Sequence, residues 1–85
     1  MEILVVDDDN EISELVSMLL EKEGFAVECM PDAVQAVEAI KSGKKYSLIV
    51  MDIGLPGIDG FEAVKRIRVF TDCPVLYWLR RQPKQ

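Results

Sequence analysis

Hydrophobic and polar positions change period several times along this chain. Ile3 to Val6 is a continuous aliphatic run closed by Asp7, Asp8 and Asp9. A run without polar alternation suits a strand covered on both faces. Ile12, Leu15, Val16, Leu19 and Leu20 then recur at i, i+3, i+4, i+7 and i+8, one stripe of a helix, with Asn10 at the N-cap and Gly24 just past the end. Phe25 to Cys29 predicts a second strand. Pro31-Asp32 opens a second helix, in which Asp32 caps, Gln35 occupies N3, and Ala33, Ala36, Val37 and Ile40 form the apolar stripe up to the stop at Ser42-Gly43. Ser47 to Met51 repeats the buried-strand pattern and runs into Asp52. The loop Ile53 to Gly60 leads to a third helix with Phe61, Val64 and Ile67 on its apolar face. Pro74 to Leu79 is a fourth strand, and Arg80 to Gln85 is a short polar tail.

The predicted order is βαβαβαβ. Strands that alternate with amphipathic helices run parallel, because each crossover helix returns the chain to the same end of the sheet. Their C-terminal ends therefore line up. Ligands of such open sheets bind outside those ends, where strand order reverses. If the first and third strands are neighbours, Asp7, Asp8 and Asp52 meet there. Three carboxylates in one crevice repel one another unless a cation neutralises them, so the cluster marks a functional site. A single aspartate after a strand is an ordinary cap or turn former, and two of them are assigned structural uses, Asp9 as a partner of the helix dipole and Asp59 as a turn or cap.

Composition narrows the chemistry. The chain has 85 residues, 49% hydrophobic and 29% charged, which suits one small domain with one core. With 15 acidic against 10 basic residues the net charge is −5, which repels phosphate backbones and argues against direct contact with nucleic acid or anionic membrane. No apolar stretch approaches the roughly 20 residues that a membrane-spanning helix needs, and the N-terminus opens directly into the first strand, so a cytoplasmic protein is expected. Cys29 and Cys73 lack metal-ligand spacing and are expected to be free thiols. The chain contains no His, which removes imidazole catalysis. An oxygen-only ligand set selects a hard ion, and Mg²⁺ is the natural candidate because it accepts one or two carboxylates and then phosphate oxygens.

These residues carry a family resemblance. The run Ile3-Leu4-Val5-Val6-Asp7-Asp8-Asp9, Asp52 followed by Ile53-Gly54-Leu55-Pro56-Gly57-Ile58-Asp59-Gly60, and Cys73-Pro74-Val75-Leu76 are similar to a response-regulator receiver domain of two-component signalling. The resemblance spans about residues 2 to 78. It implies a flavodoxin-like doubly wound parallel sheet with strand order 2-1-3-4-5, and a phosphoacceptor at Asp52 rather than a classical enzyme. It also implies Mg²⁺ held by Asp8 and Asp52, with Asp7 acting largely through water, and by the main-chain carbonyl of Gly54. Pro56 and Gly60 would shape the loop and start the third helix. A sensor histidine kinase is the implied partner. The carboxylate cluster alone does not say which aspartate is phosphorylated.

The chain also departs from that pattern. Leu79 stands where the family places a switch Thr or Ser, and no strand-five Lys follows. The expectation is an incomplete receiver over 1-79, lacking the last helices and fifth strand, with 80-85 as a polar tail resembling what an early stop or shifted frame appends. Arg80, Arg81 and Lys84 are treated as solvated. Without a fifth strand, the fourth becomes an edge whose Val75 to Leu79 invites self-association. The alternative is a receiver remnant that binds a kinase or another receiver without signalling. An aspartyl-phosphate hydrolase using the Asp7-x-Asp9 spacing is a further class, disfavoured because the chain has no room for a substrate cap.

Overall fold

The computed structural model describes residues 1–54 and 58–78. Seven elements follow one another as β1 (Glu2–Val6), α1 (Asn10–Lys22), β2 (Ala26–Met30), α2 (Ala33–Lys41), β3 (Leu48–Asp52), α3 (Gly60–Ile67) and β4 (Val75–Trp78). The strands form one parallel sheet in the order β2-β1-β3-β4. The βαβαβαβ order, the parallel sheet and the adjacency of the first and third strands are as the sequence predicts. Leu79 and the tail 80–85 lie outside the described residues.

The aliphatic run of β1 is central and fully buried, with Ile3, Leu4, Val5 and Val6 at most 2% exposed. Leu4 and Val6 join Ile49 and Met51 of β3 on one face, under Ala33, Ala36 and Ile40 of α2 and Ala63, Val64 and Ile67 of α3. Ile3, Val5 and Val50 face the other way, where Val16 and Leu20 of α1 pack with Phe25, Val27 and Trp78. The helices therefore cover both faces, as the unalternating strand pattern requires.

Some helical details differ from expectation. The cap of α1 is Asp9, not Asn10: its carboxylate accepts from the backbone N–H of Glu11 at 2.9 Å and of Ile12 at 3.2 Å. Either residue type caps well, and a chain leaving β1 in extended geometry at Asp9 gives that side chain the reach. In the predicted stripe, Leu15 and Leu19 are 54% and 56% exposed. A lone helix over that face touches it along a narrow line, which Val16 and Leu20 occupy. Phe61 likewise points off the core, and its ring lies against that of Tyr77 of β4, tilted by 40° with centroids 4.9 Å apart; Ala63 takes the buried place instead.

The other helix ends match the predicted signals. Asp32 accepts from the Gln35 N–H at 2.8 Å, and the Gln35 side-chain amide donates back to the same carboxylate at 3.1 Å. Gly24 and Gly43 sit at φ 95° and 107°, the left-handed region open to glycine, and each closes its helix with paired backbone bonds. Phe25 N–H donates to Leu20 O within that closure, so β2 begins one residue later than predicted. At its other end β2 gains Met30, which pairs with Val6. β3 likewise runs one residue further, because Asp52 stands in register with Trp78.

A polar constellation on β2 was not visible in the sequence. Glu28 accepts from Lys44 Nζ and from the hydroxyl of buried Tyr46, both at 2.8 Å. The Lys44 bond, then the Tyr46 bond, hold the Glu28 carboxyl below its ordinary value of 4.5. A carboxyl lowered by folding adds stability above its unfolded pKa, and that contribution is lost as pH falls through the folded value. Glu28→Gln is therefore expected to be less stable than the parent near neutral pH, with the gap closing below about pH 4.5; thermal melts of both proteins from pH 7 to 3 check it.

Candidate functional site

The register of the central strands assembles the site. Val6 of β1 is paired with Met51 of β3, so the next residue on each strand, Asp7 and Asp52, emerges side by side at the C-terminal edge. Both are buried, at 1% and 2% exposure, whereas Asp8 is exposed. One carboxylate oxygen from each of Asp7, Asp8 and Asp52 lies within 4.8 Å of the other two. The three residues singled out from sequence thus converge in one place.

Backbone donors orient two of them. The N–H of Asp9 donates to Asp7 Oδ1 at 2.8 Å, and the N–H of Gly54 donates to Asp52 Oδ1 at 2.8 Å. Each bond spans two residues, the local turn that aspartate favours after a strand. The Gly54 N–H contact was not anticipated; a glycine two residues beyond a strand-terminal aspartate is its sequence signal. Asp9 uses its Oδ1 to cap α1. Asp59 caps α3 by accepting from the Glu62 N–H at 2.8 Å. Asp59 therefore takes the cap role assigned to it from sequence, while Asp9 takes the cap role expected of Asn10.

Gly60 sets how closely α3 approaches. A Cβ at this position would stand 2.9 Å from Met51 Cγ and 3.0 Å from both Asp52 O and Ile53 Cα. The first turn of α3 therefore lies directly against the end of β3 that carries Asp52. Pro56 lies outside the described residues.

The donor set is oxygen only and carries up to three negative charges in a few ångströms. Charges packed so closely in a partly buried site cost free energy that a small divalent cation relieves. The residues therefore fit a hard ion such as Mg²⁺. Cys29 is exposed and Cys73 buried, both as free thiols. Among the described residues no helix is long and apolar enough to cross a membrane.

Known proteins share this arrangement. The chain is 40% identical over 74 residues to the transcriptional regulatory protein CpxR homolog of Haemophilus influenzae, covering 87% of this chain and 32% of that protein. It is 41% identical over 81 residues to the transcriptional regulatory protein YvrH of Bacillus subtilis, covering 93% of this chain and 33% of that protein. It thus spans about a third of the length of these curated relatives. Among solved structures, the response regulator TrrA of Thermotoga maritima, crystallised in complex with Mg(2+)-BeF, superposes with a TM-score of 0.83 at 33% identity, over 92% of this chain and 68% of that one. The N-terminal domain of a response regulator/sensory box/GGDEF protein from Carboxydothermus hydrogenoformans gives a TM-score of 0.91 at 30% identity, over 98% of this chain and 68% of that one. The model of the response regulator receiver domain matches residues 3–80, and a flavodoxin-like parallel sheet that brings its strand-end aspartates together agrees with it: the chain belongs to the response regulator receiver domain family.

Proposed function

We propose that this chain is a phosphoacceptor module of a two-component relay, in which Asp52 takes a phosphoryl group from a phosphohistidine of a sensor histidine kinase. The observation that carries this reading is the convergence of Asp7, Asp8 and Asp52 within 4.8 Å at the strand ends. In the transfer, an Asp52 carboxylate oxygen forms the new bond to phosphorus while the P–N bond to the donor imidazole breaks and its electrons return to the ring. Asp7, Asp8, Asp52 and the main-chain carbonyl of Gly54 are the residues that would hold Mg²⁺. When bound, that ion supplies neutralisation of the carboxylates and of the incoming phosphoryl oxygens. The Gly54 N–H keeps one Asp52 oxygen oriented, and the buried Asp7 supplies negative charge beside it. The domain acts on itself and is not read as a classical enzyme.

The receiver unit is taken to run through residue 79, with 80–85 as a polar tail. Net charge of −5 supports a protein without direct nucleic-acid contact, and the family supports a cytoplasmic setting. Labelling by acetyl phosphate in Mg²⁺, read by intact mass with an Asp52→Asn control, tests the acceptor role.

A second observation favours association between copies. Among the described residues β4 is paired on one side only, and its Leu76 and Tyr77 are 57% and 38% exposed. The 85-residue chain is accordingly expected to self-associate through β4 at high micromolar concentration. Sedimentation velocity should show a dimer that Leu76→Lys weakens at least tenfold, about 1.4 kcal/mol. A parent chain that stays monomeric contradicts this.

A further inference from the structure

At the end of the sheet opposite the carboxylates, where Tyr46 leads into β3 and Cys73 into β4, a cavity of about 350 Å³ opens between the last turns of α2 and α3. Ile40, Tyr46 and Cys73 line it as buried residues, and Phe70 lines it 48% exposed, with no ring partner among the described residues. Its charged lining residues are Lys44 and Lys45, and no acidic side chain lines it; Asp72, in the loop nearby, is exposed and outside the cavity. Lys44 is committed to Glu28 at 2.8 Å, whereas Lys45 makes no ion pair among the described residues. The walls are fixed by the chain itself. The N–H groups of Gly43 and Lys44 close α2 on the carbonyls of Ile40 and Ala39 at 3.0 and 3.1 Å, and those of Phe70 and Thr71 close α3 on Ile67 O at 2.8 and 3.1 Å. The Arg68 guanidinium braces the loop by donating to the carbonyls of Thr71 and Cys73. These bonds also occupy carbonyls at both helix ends, whose partial negative charge would otherwise favour a cation.

We propose that this cavity binds a small aromatic carboxylate, with its ring against Phe70 and its carboxylate at the Lys45 ammonium. The volume lies at the lower end of the ~300 to 1,000 Å³ usual for ligand pockets, which suits a body of one or two rings. Covering the half-exposed Phe70 ring removes apolar surface from water, and a ring on ring contact adds to that gain. An ammonium without a counter-charge gains more from a carboxylate than Lys44 does, because Glu28 already occupies Lys44. A cation of the same shape meets two like charges instead. The chain as a whole carries −5, so its net charge attracts cations and repels anions. A preference for the anion therefore has the opposite sign to non-specific attraction and comes from this cavity. The site shares no residue with the acceptor cluster and does not depend on the acceptor reading.

The test is an NMR titration of the full isotope-labelled chain with naphthoate and, separately, with naphthylmethylammonium, which pairs a similar ring with the opposite charge. Naphthoate is expected to shift the amide signals of Gly43, Lys44, Lys45, Thr71 and Cys73 saturably, with a dissociation constant of about millimolar, and the ammonium to bind at least tenfold more weakly. Lys45→Gln should weaken naphthoate about threefold and Phe70→Ala about fivefold. Both side chains are exposed, so both variants should keep the parent's amide pattern elsewhere. Lys65→Gln, which removes an exposed ammonium of α3 that stands 3.9 Å from Glu62, should leave naphthoate binding unchanged. No saturable shift, equal binding of the two reagents, shifts centred on Phe61, Leu76 and Tyr77 instead, or naphthoate binding untouched by both Lys45→Gln and Phe70→Ala would each overturn the proposal.

Discussion

Asp52→Asn is expected to abolish phosphoryl uptake. After incubation with Mg²⁺ and acetyl phosphate, the parent mass should rise by one phosphoryl group and the variant mass should not change. The amide is nearly isosteric and retains an Oδ1 to accept from the Gly54 N–H, so the strand end keeps its shape. What it lacks is the anionic oxygen that bonds to phosphorus. The substitution also removes one of three negative charges within 4.8 Å of one another, so without divalent ion the variant should melt no lower than the parent. A mass gain in the variant would place the acceptor elsewhere. No gain in a folded parent that binds Mg²⁺ would move the reading to a receiver fold that associates without chemistry.

Gly60→Ala is expected to give the larger effect on stability, a loss of about 1 to 3 kcal/mol. In a domain this small each kcal/mol corresponds to roughly 4 to 8 °C in thermal midpoint. The new methyl would meet Met51 Cγ at 2.9 Å, which a flexible side chain can yield to. It would also meet Asp52 O and Ile53 Cα at 3.0 Å, which yield only if α3 retreats or the end of β3 shifts. Either movement displaces Asp52. Slower phosphoryl uptake should therefore accompany the lower midpoint, and an unchanged melt with unchanged uptake would show that the contact relaxes at no cost.

Much of the architecture was legible in particular residues. Ile3 to Val6 predicted a strand covered on both faces, and each of these side chains is buried. Gly24, Gly43 and Asp32 ended or began helices where their backbone preferences place them. The misreadings share one cause, that local pattern names a candidate set and not the member that packs. Asn10 and Asp9 are both good caps, and the path of the chain out of β1 chose Asp9. Five apolar positions of α1 satisfied the helical period, yet Leu15 and Leu19 remain outside because the helix touches the sheet along one line. Phe61 obeyed the period of α3 and still turned outward to Tyr77, a contact between residues 16 apart in sequence.

The acidic cluster divides in the same way. Residue types settled the hardness of the ion it fits, since a chain without His offers oxygen ligands after these strands, and they settled the alternation of strands and helices that forces a parallel sheet. Which carboxylates meet was decided by pairing over long separations. Val6 stands opposite Met51 because β3 registers its buried Ile49, Val50 and Met51 against Leu4, Val5 and Val6, and a slip of one residue would turn every core position to the wrong face. That register, together with the approach of α3 over Gly60, brings Asp7 and Asp52 together at one edge, while Asp9, only two residues from Asp7, is spent on a helix cap.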